Sequence, residues 1–143
     1  MDMKKVNISV PNLICLCLDD HGNGNLKGEF YHYYAEEGVQ FQDSWEMIRK
    51  MDAFFDVLNF PQAATVYRSF EKKPVTTGTA HKHIEKKVSA EQLLAQRGKV
   101  GTFIVVVQYR QNTSWQGRMY HVEKDRDYAF ASELEFISLL KNG

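Results

Sequence analysis

The chain repeats itself at a constant spacing of 89 residues without a gap, and this repetition limits its possible folds more than any other feature. At that spacing an apolar run at residues 14–18 falls on a second run at residues 103–107. Self-similarity at a fixed spacing is typical of a repeated structural unit. Identical residues recur in both copies: Asn23 and Asn112, Gly28 and Gly117, Tyr31 and Tyr120, His32 and His121, Phe41 and Phe130, Glu46 and Glu135, and Ile48 and Ile137.

Each copy begins with a pattern typical of three strands. Residues 13–18 are all apolar, which predicts a strand that is covered on both faces at the centre of a sheet. The polar stretch at residues 19–25 is dense in turn-forming residues and predicts a reversal of the chain. Alternating runs at residues 27–34 and 39–41 predict two further strands.

A helix is indicated after the third strand of each copy. In the first copy the apolar period changes to about 3.6 at Asp43 or Ser44, which can cap a helix that ends before Pro61. We expect both helices to bury the same apolar stripe. In the first copy it consists of Trp45, Ile48, Met51, Phe55 and Leu58, and in the second of Leu134, Ile137 and Leu140.

These patterns predict an α+β fold: a duplicated β-β-β-α unit with pseudo-two-fold symmetry, whose antiparallel strands pack against helices. One continuous sheet and two facing sheets fit equally well, with the apolar strands 12–18 and 102–107 near a shared centre. We expect a single domain over residues 1–143. It would contain repeats at about 12–58 and 101–143, joined by a basic middle segment at 59–100.

The middle segment contains one further helix signal. Ser89 and Gln92 have the spacing of a capping box, in which each side chain bonds a backbone amide of the first helical turn. Gly98 stands where a helix usually closes. We therefore predict a short helix over residues 90–97.

Charge is uneven along the chain. The formal net charge is zero, so the total gives no argument for nucleic acid or an anionic membrane as a partner. Residues 60–100 nevertheless carry eight Lys and Arg against three Asp and Glu. Clustered cations among aromatic rings suit a nucleic-acid contact over residues 66–87, and a solvated loop is the alternative. The candidate contacts are Arg68, Lys72, Lys73, Lys86 and Lys87.

The two cysteines and the N-terminal sequence favour the cytosol. Met1 to Lys5 are followed by a mixed run rather than a signal peptide, and no apolar run is long enough to cross a bilayer. Cys15 and Cys17 are two apart on a predicted strand, where they share a face but are badly placed to bond each other. We expect both thiols to pack in the core and the chain to be cytoplasmic, without a membrane partner.

His32 and His121 are the sharpest candidates for chemistry, because the repetition puts them at equivalent places. If a pseudo-axis passes between the two second strands, the imidazoles would face each other and could share a metal or a small ligand. The alternative is that each is a half-buried strand residue with a backbone hydrogen bond. Two histidines without a third ligand make an incomplete metal site.

Trp115 stands at the mouth of the second predicted hairpin, where the first copy has Leu26. A tryptophan in this place either covers the core or anchors a protein partner.

The segment from Tyr109 to Gly117, followed by Phe130 and residues 132–137, resembles a pattern in small uncharacterised bacterial proteins. Their Gln-Asn-x-x-Trp-Gln-Gly turn precedes a Phe-x-Ser-x-Leu-Glu-Leu-Ile helix, and here Phe136 replaces the second Leu of that pattern. The resemblance implies a bacterial cytosolic chain. It carries no assigned activity and no catalytic residues.

No spacing of a nucleophile, phosphate loop or calcium loop is found, so we assign no catalytic residue and expect no cofactor. The leading hypothesis is a non-enzymatic protein that works by association, with itself or with another macromolecule. Nucleic-acid binding through the basic segment is the first alternative. A metal or small ligand at His32 and His121 is the second.

Overall fold

Six strands form one antiparallel sheet in the order β3-β2-β1-β5-β6-β7, and a two-residue strand, β4, adds a short parallel pairing to β5. The structure, a computed structural model, describes residues 9–20, 26–60, 63–64, 85–111 and 114–142. The strands are β1 (Ile14–Asp20), β2 (Lys27–Tyr31), β3 (Val39–Phe41), β4 (Ala63–Ala64), β5 (Gly101–Gln111), β6 (Ser114–His121) and β7 (Arg126–Phe130). The helices are α1 (Ser44–Leu58), α2 (Ala90–Leu94) and α3 (Glu133–Asn142).

The two apolar strands are neighbours at the centre of the sheet. In the antiparallel pairing of β1 with β5, Cys15 lies opposite Ile104 and Leu16 lies opposite Phe103. Side chains on both faces of these strands are buried, as their continuous apolar runs predict. One continuous sheet is therefore formed, and the arrangement with two facing sheets is excluded.

Each central strand has a neighbouring strand that contains a glycine at the corresponding position: Gly28 in β2, beside β1, and Gly117 in β6, beside β5. Gly28 pairs with Leu18 on one side and Phe41 on the other. A Cβ at Gly28 would lie 2.0 Å from the carbonyl oxygen of Cys17, so a side chain here would force the strands apart. In the other half, Gly117 pairs with Val107 and Phe130, and its Cβ would lie 2.1 Å from the carbonyl oxygen of Val106.

α1 begins and ends at capping residues that its sequence provides. Asp43 accepts a hydrogen bond from the Glu46 amide, and the helix closes at Asn59 in the left-handed conformation at φ 56°. The buried residues of α1 are Met47, Met51 and Phe55. The predicted stripe is therefore wrong at its first residue, because Trp45 is 72% exposed.

α3 repeats this arrangement. Ser132 accepts a hydrogen bond from the Glu135 amide, and Phe136 and Leu140 are buried. Leu134, which the sequence pattern put in the core, is 78% exposed. Both errors have one cause: each helix is turned so that residues at four-residue intervals, rather than the neighbouring apolar row, face the sheet.

The sheet has an apolar core on each face. On one face α1 and α3 pack on residues of β1, β2, β3, β5, β6 and β7. On the other face Leu93 of α2 packs with Cys15, Cys17 and Tyr33. The predicted capping box of Ser89 and Gln92 is present, but α2 ends at Leu94 rather than at residue 97.

Several predictions lie outside the described residues. These are most of the predicted chain reversal at 19–25, and the candidate nucleic-acid contacts Arg68, Lys72 and Lys73. None of the described helices is long and apolar enough to cross a bilayer.

Candidate functional site

His121 is the last residue of β6, and its side chain lies on the face of the sheet that α1 and α3 cover. The imidazole packs against Phe103 of β5, with ring centroids 4.2 Å apart and a tilt of 32°. Only 4% of the residue is exposed. The pairing of β5 with β6, which sets His121 opposite Phe103, holds the ring in this place.

Glu123 fixes the environment of this imidazole. Its carboxylate accepts hydrogen bonds from the Thr102 amide at 2.7 Å and from Thr102 Oγ1 at 2.8 Å. Thr102 Oγ1 in turn accepts from the amide of Gly98 at 2.9 Å. The same carboxylate lies 3.5 Å from Nε2 of His121, so it is oriented by Thr102 and faces the ring.

Burial lowers the pKa of His121 from its ordinary value, Glu123 opposes this shift, and Lys124 adds to it. The ring is therefore neutral near pH 7, and a proton on Nε2 would point towards the carboxylate. Nδ1 is then an acceptor. It is buried, and it has no hydrogen-bond partner among the described residues.

A cavity of about 240 Å³ opens beside the imidazole. Its polar lining consists of His121, Glu123 and Lys124. Its apolar walls are Leu18, Val100, Gly101, Phe103 and Leu140. A buried polar ring, a half-exposed carboxylate and an ammonium group therefore meet at one partly open cavity, which we call the His121 cavity.

His32 has a different environment, just beyond the end of β2. Its Nδ1 accepts a hydrogen bond from the Tyr34 amide at 3.1 Å, and its ring stacks on Phe54 of α1 with centroids 4.1 Å apart. Burial lowers the pKa of His32 to about 4. The adjoining groove, about 350 Å³, is lined mainly by apolar residues, including Phe30, Val39 and Phe54.

The structure does not bring the two histidines together. β1 and β5 lie between β2 and β6. The row from Phe30 through Leu16 and Phe103 to His121 spans three strand spacings, about 14 Å, and His32 lies two residues beyond Phe30. No three His, Cys, Asp or Glu side chains in the described ranges form a possible metal site.

Trp115 is buried and belongs to the core on the helical face. It is 1% exposed, and its ring contacts Phe55 of α1 and Phe136 of α3. Its indole N–H donates to Asp52 at 3.3 Å. This matches the core-covering interpretation of Trp115.

Sequence reasoning missed the charged cluster beside Trp115. Nη1 of Arg110 lies 2.9 Å from carboxylate oxygens of both Asp52 and Asp56, and the guanidinium lies over the ring of Phe55. Arg110 is 5% exposed. These ion pairs link β5 to α1, and so connect the C-terminal part of the chain to the N-terminal part.

Two of the predicted nucleic-acid contacts, Lys86 and Lys87, lie in the part of the chain that the structure describes. The ammonium group of Lys86 lies 4.3 Å from the ring centroid of Tyr33, and the backbone amide of Lys87 donates to the Tyr33 carbonyl at 2.7 Å. Both residues thus pack beside the end of β2. Nucleic-acid binding by residues 66–87 stays a prediction.

No protein-family model matches the chain, and neither a curated protein nor a solved structure does so.

Proposed function

We propose that the chain is a non-enzymatic assembly protein of the cytosol that works by association with a second copy of itself. The observation that carries this proposal is the exposure of Trp45 and Leu134, at 72% and 78%. Large apolar side chains so exposed favour protein contacts, and tryptophan is enriched at the centres of interfaces.

The two residues occupy equivalent places. Trp45 is the second residue of α1 and Leu134 the second residue of α3. Each lies two positions before a buried residue, Met47 in α1 and Phe136 in α3. Two positions correspond to a rotation of about 200° around the helix axis, so the exposed and the buried side chains point in nearly opposite directions. Both side chains therefore project from the helical layer away from the sheet.

A duplicated β-β-β-α origin is part of the proposal, and the register of the sheet supports it. Leu18 pairs with Gly28, and Val107 pairs with Gly117. Each residue of the second pair lies 89 positions after the corresponding residue of the first. So are the helix caps Asp43 and Ser132. A pseudo-two-fold relation of this kind gives one chain two similar contact points.

Two contact points suit a closed dimer. In an isologous interface every contact between residue i and residue j is repeated as j with i. We expect Trp45 of each copy to meet Leu134 of the other, so that both exposed side chains are covered. The unbonded, buried thiols of Cys15 and Cys17 support a reducing compartment for this assembly.

Sedimentation velocity over roughly 1–200 µM protein tests the proposal. We expect a reversible dimer that Trp45→Glu weakens at least about tenfold, since a buried charge replaces an aromatic contact. Leu134→Glu should act in the same direction. The matched control is Val57→Glu, which alters another exposed apolar residue of α1 and should leave the dimer intact.

A monomer at every concentration, or a dimer that survives both substitutions, would refute self-association through this surface. Circular dichroism of each variant checks that the fold is retained.

A further inference from the structure

We propose that the groove beside His32 binds a small, neutral, two-ring aromatic molecule that carries a hydrogen-bond acceptor. This groove, which we call the His32 groove, is lined by residues of α1, by Val39 of β3 and by residues at and just beyond the end of β2. Trp45 and Leu134 do not line it, so the inference is independent of self-association.

One stripe of α1 forms a wall of the groove. Its members are Lys50, Ala53, Phe54, Val57 and Leu58. Their spacing of three and four residues puts them on one face of the helix, and the residues of α1 that are buried against the sheet form a different row. Ala53 and Val57 are exposed and the other three are partly exposed, so a ligand can reach the whole stripe.

Three aromatic rings are grouped at the groove. The ring centroid of His32 lies 4.1 Å from that of Phe54 and 5.9 Å from that of Tyr34. The centroids of Tyr34 and Phe54 are 6.2 Å apart. All three residues are partly exposed. Aromatic rings favour a further ring as a neighbour, in stacked or edge-to-face contact, which selects an aromatic ligand.

His32 supplies a hydrogen-bond donor that the protein does not use. Its Nδ1 accepts from the Tyr34 amide, so the proton of the neutral ring is on Nε2. Nε2 donates to no described residue, and it retains accessible surface. The Tyr34 hydroxyl, by contrast, already donates to the Pro11 carbonyl at 3.0 Å. An acceptor on the ligand would therefore pair with Nε2 of His32.

The charges at the groove compensate each other, which favours a neutral ligand. Nζ of Lys50 donates to the Gln40 carbonyl at 2.9 Å and lies 3.1 Å from the Glu46 carboxylate. His32 is uncharged near neutral pH, because burial lowers its pKa. A charged ligand would lose water at the apolar walls without gaining a free partner of opposite charge.

The size of the groove suits a small molecule. Its volume is about 350 Å³, near the lower end of the range for ligand pockets. An apolar cavity of about 150 Å³ holds one benzene ring, so the groove has room for about two fused rings. A protein partner needs roughly 800 Å² of surface on each side. The exposed charged residues Arg49 and Asp56 adjoin the stripe of α1 and limit the apolar surface for such a partner.

Isothermal titration calorimetry with quinoline, up to about 10 mM, is the direct test. Quinoline has two fused rings, is uncharged near neutral pH and carries one acceptor nitrogen. N-methylquinolinium has a positive charge and no acceptor, and pyridine has a single ring. We expect saturable binding of quinoline and at least about tenfold weaker binding of either comparison probe, because each loses the hydrogen bond or part of the apolar contact.

His32→Phe tests the hydrogen bond. The variant keeps an aromatic ring beside Phe54 but lacks the donor, and it should bind quinoline about tenfold more weakly. Naphthalene has the size of quinoline without the nitrogen. Its binding, followed by its fluorescence, should be the same in the variant and the wild type. Thermal unfolding is measured in parallel, because His32 also accepts from the Tyr34 amide.

Ala53→Phe tests the location. Ala53 is exposed, so a larger side chain there fills part of the groove without entering the core. This variant should bind quinoline at least about tenfold more weakly. Val100→Phe is the matched control, because it places the same ring at an exposed apolar position outside the groove and should leave binding unchanged.

No saturable binding of quinoline by the wild-type protein would overturn the proposal. So would equal binding of N-methylquinolinium, equal weakening of quinoline and naphthalene by His32→Phe, or unchanged binding by Ala53→Phe. None of these outcomes bears on dimer formation, which sedimentation measures separately.

Discussion

Cys15 lies directly opposite Ile104 at the middle of the sheet, and the residue pairs on either side of this pair correspond to each other in sequence. Ile14 faces Val105, and Leu16 faces Phe103, so a shift of 89 residues converts each of these pairs into the other. Equivalent substitutions in the two halves can be compared directly.

Gly28→Ala and Gly117→Ala should both destabilise the fold, each by about 3 kcal/mol or more. The added methyl group would lie 2.0 or 2.1 Å from a backbone oxygen of the next strand, which cannot move aside as a flexible side chain does. Urea denaturation measures the loss. Gly101→Ala is the control, because the nearest contacts of its added methyl group would be the His121 and Phe103 side chains, both at 3.3 Å, and no backbone atom. Equal stability of the control and the two variants would contradict the close approach.

The carboxylates around Arg110 should contribute unequally. Asp52→Ala is expected to lower the free energy of unfolding by about 2 kcal/mol, because its Oδ1 accepts from both Arg110 and Trp115. Asp56→Ala should cost about 1 kcal/mol or less. Its side chain is 64% exposed, and it lies in the last turn of α1, where the helix dipole disfavours a carboxylate. Chemical denaturation ranks the two variants, and the reverse order would disprove this reading of the cluster.

His32 should make the fold sensitive to acid. The unfolded imidazole binds a proton near pH 6.5, whereas burial lowers the pKa of the folded one to about 4. The unfolded state therefore binds more protons between these values, and stability falls as the pH drops from about 6.5 towards 4.

His32→Gln removes this contribution. Between pH 7 and pH 4 the free energy of unfolding should fall in both proteins, but by about 2 kcal/mol less in the variant than in the wild type. This figure allows for the half-buried position of the ring. Urea midpoints at several pH values supply the curve. His121 retains its own lowered pKa in this variant, so a residual acid sensitivity is expected. Parallel curves for the two proteins would show that His32 is protonated equally in both states.

Cys15 and Cys17 should be inert in the folded protein. Both thiols are buried, and hydrogen bonding with Cys15, followed by burial, raises the pKa of Cys17. An aromatic disulfide reagent should react with neither thiol under native conditions and with both in denaturant. Rapid labelling of the native protein would contradict the packing of β1.

The central strands and the helix caps could be predicted from the sequence because their causes are local. A run of apolar residues needs cover on both faces, which places β1 and β5 in the middle of the sheet. Asp43 and Ser89 each act within three residues of their own position, so spacing alone identifies them.

The orientation of the helices could not be predicted in this way. α1 has apolar residues in two adjacent rows that share Met51 and Phe55. One row begins at Trp45 and the other at Met47. A rotation of the helix exchanges the two rows without changing the period. Packing against the sheet selects the second row, and the same choice in α3 leaves Leu134 outside.

The charged cluster and the His121 cavity depend on contacts between distant parts of the chain. Asp52 and Arg110 are 58 residues apart, and Thr102 and Glu123 are 21 apart. No short-range pattern connects such residues. His121 was identified by its repetition, whereas its carboxylate partner became evident only from the strand pairing.

The outermost strands of the described sheet have a consequence for how copies can meet. β3 has three residues, and β7 carries Arg126 and Asp127 among its five. Short or charged edge strands disfavour pairing with a strand of a neighbouring molecule, and such pairing is the route to fibrous aggregates. Growth of the sheet from one molecule to the next is thus disfavoured at both margins, and the particles that this protein forms should be small and finite.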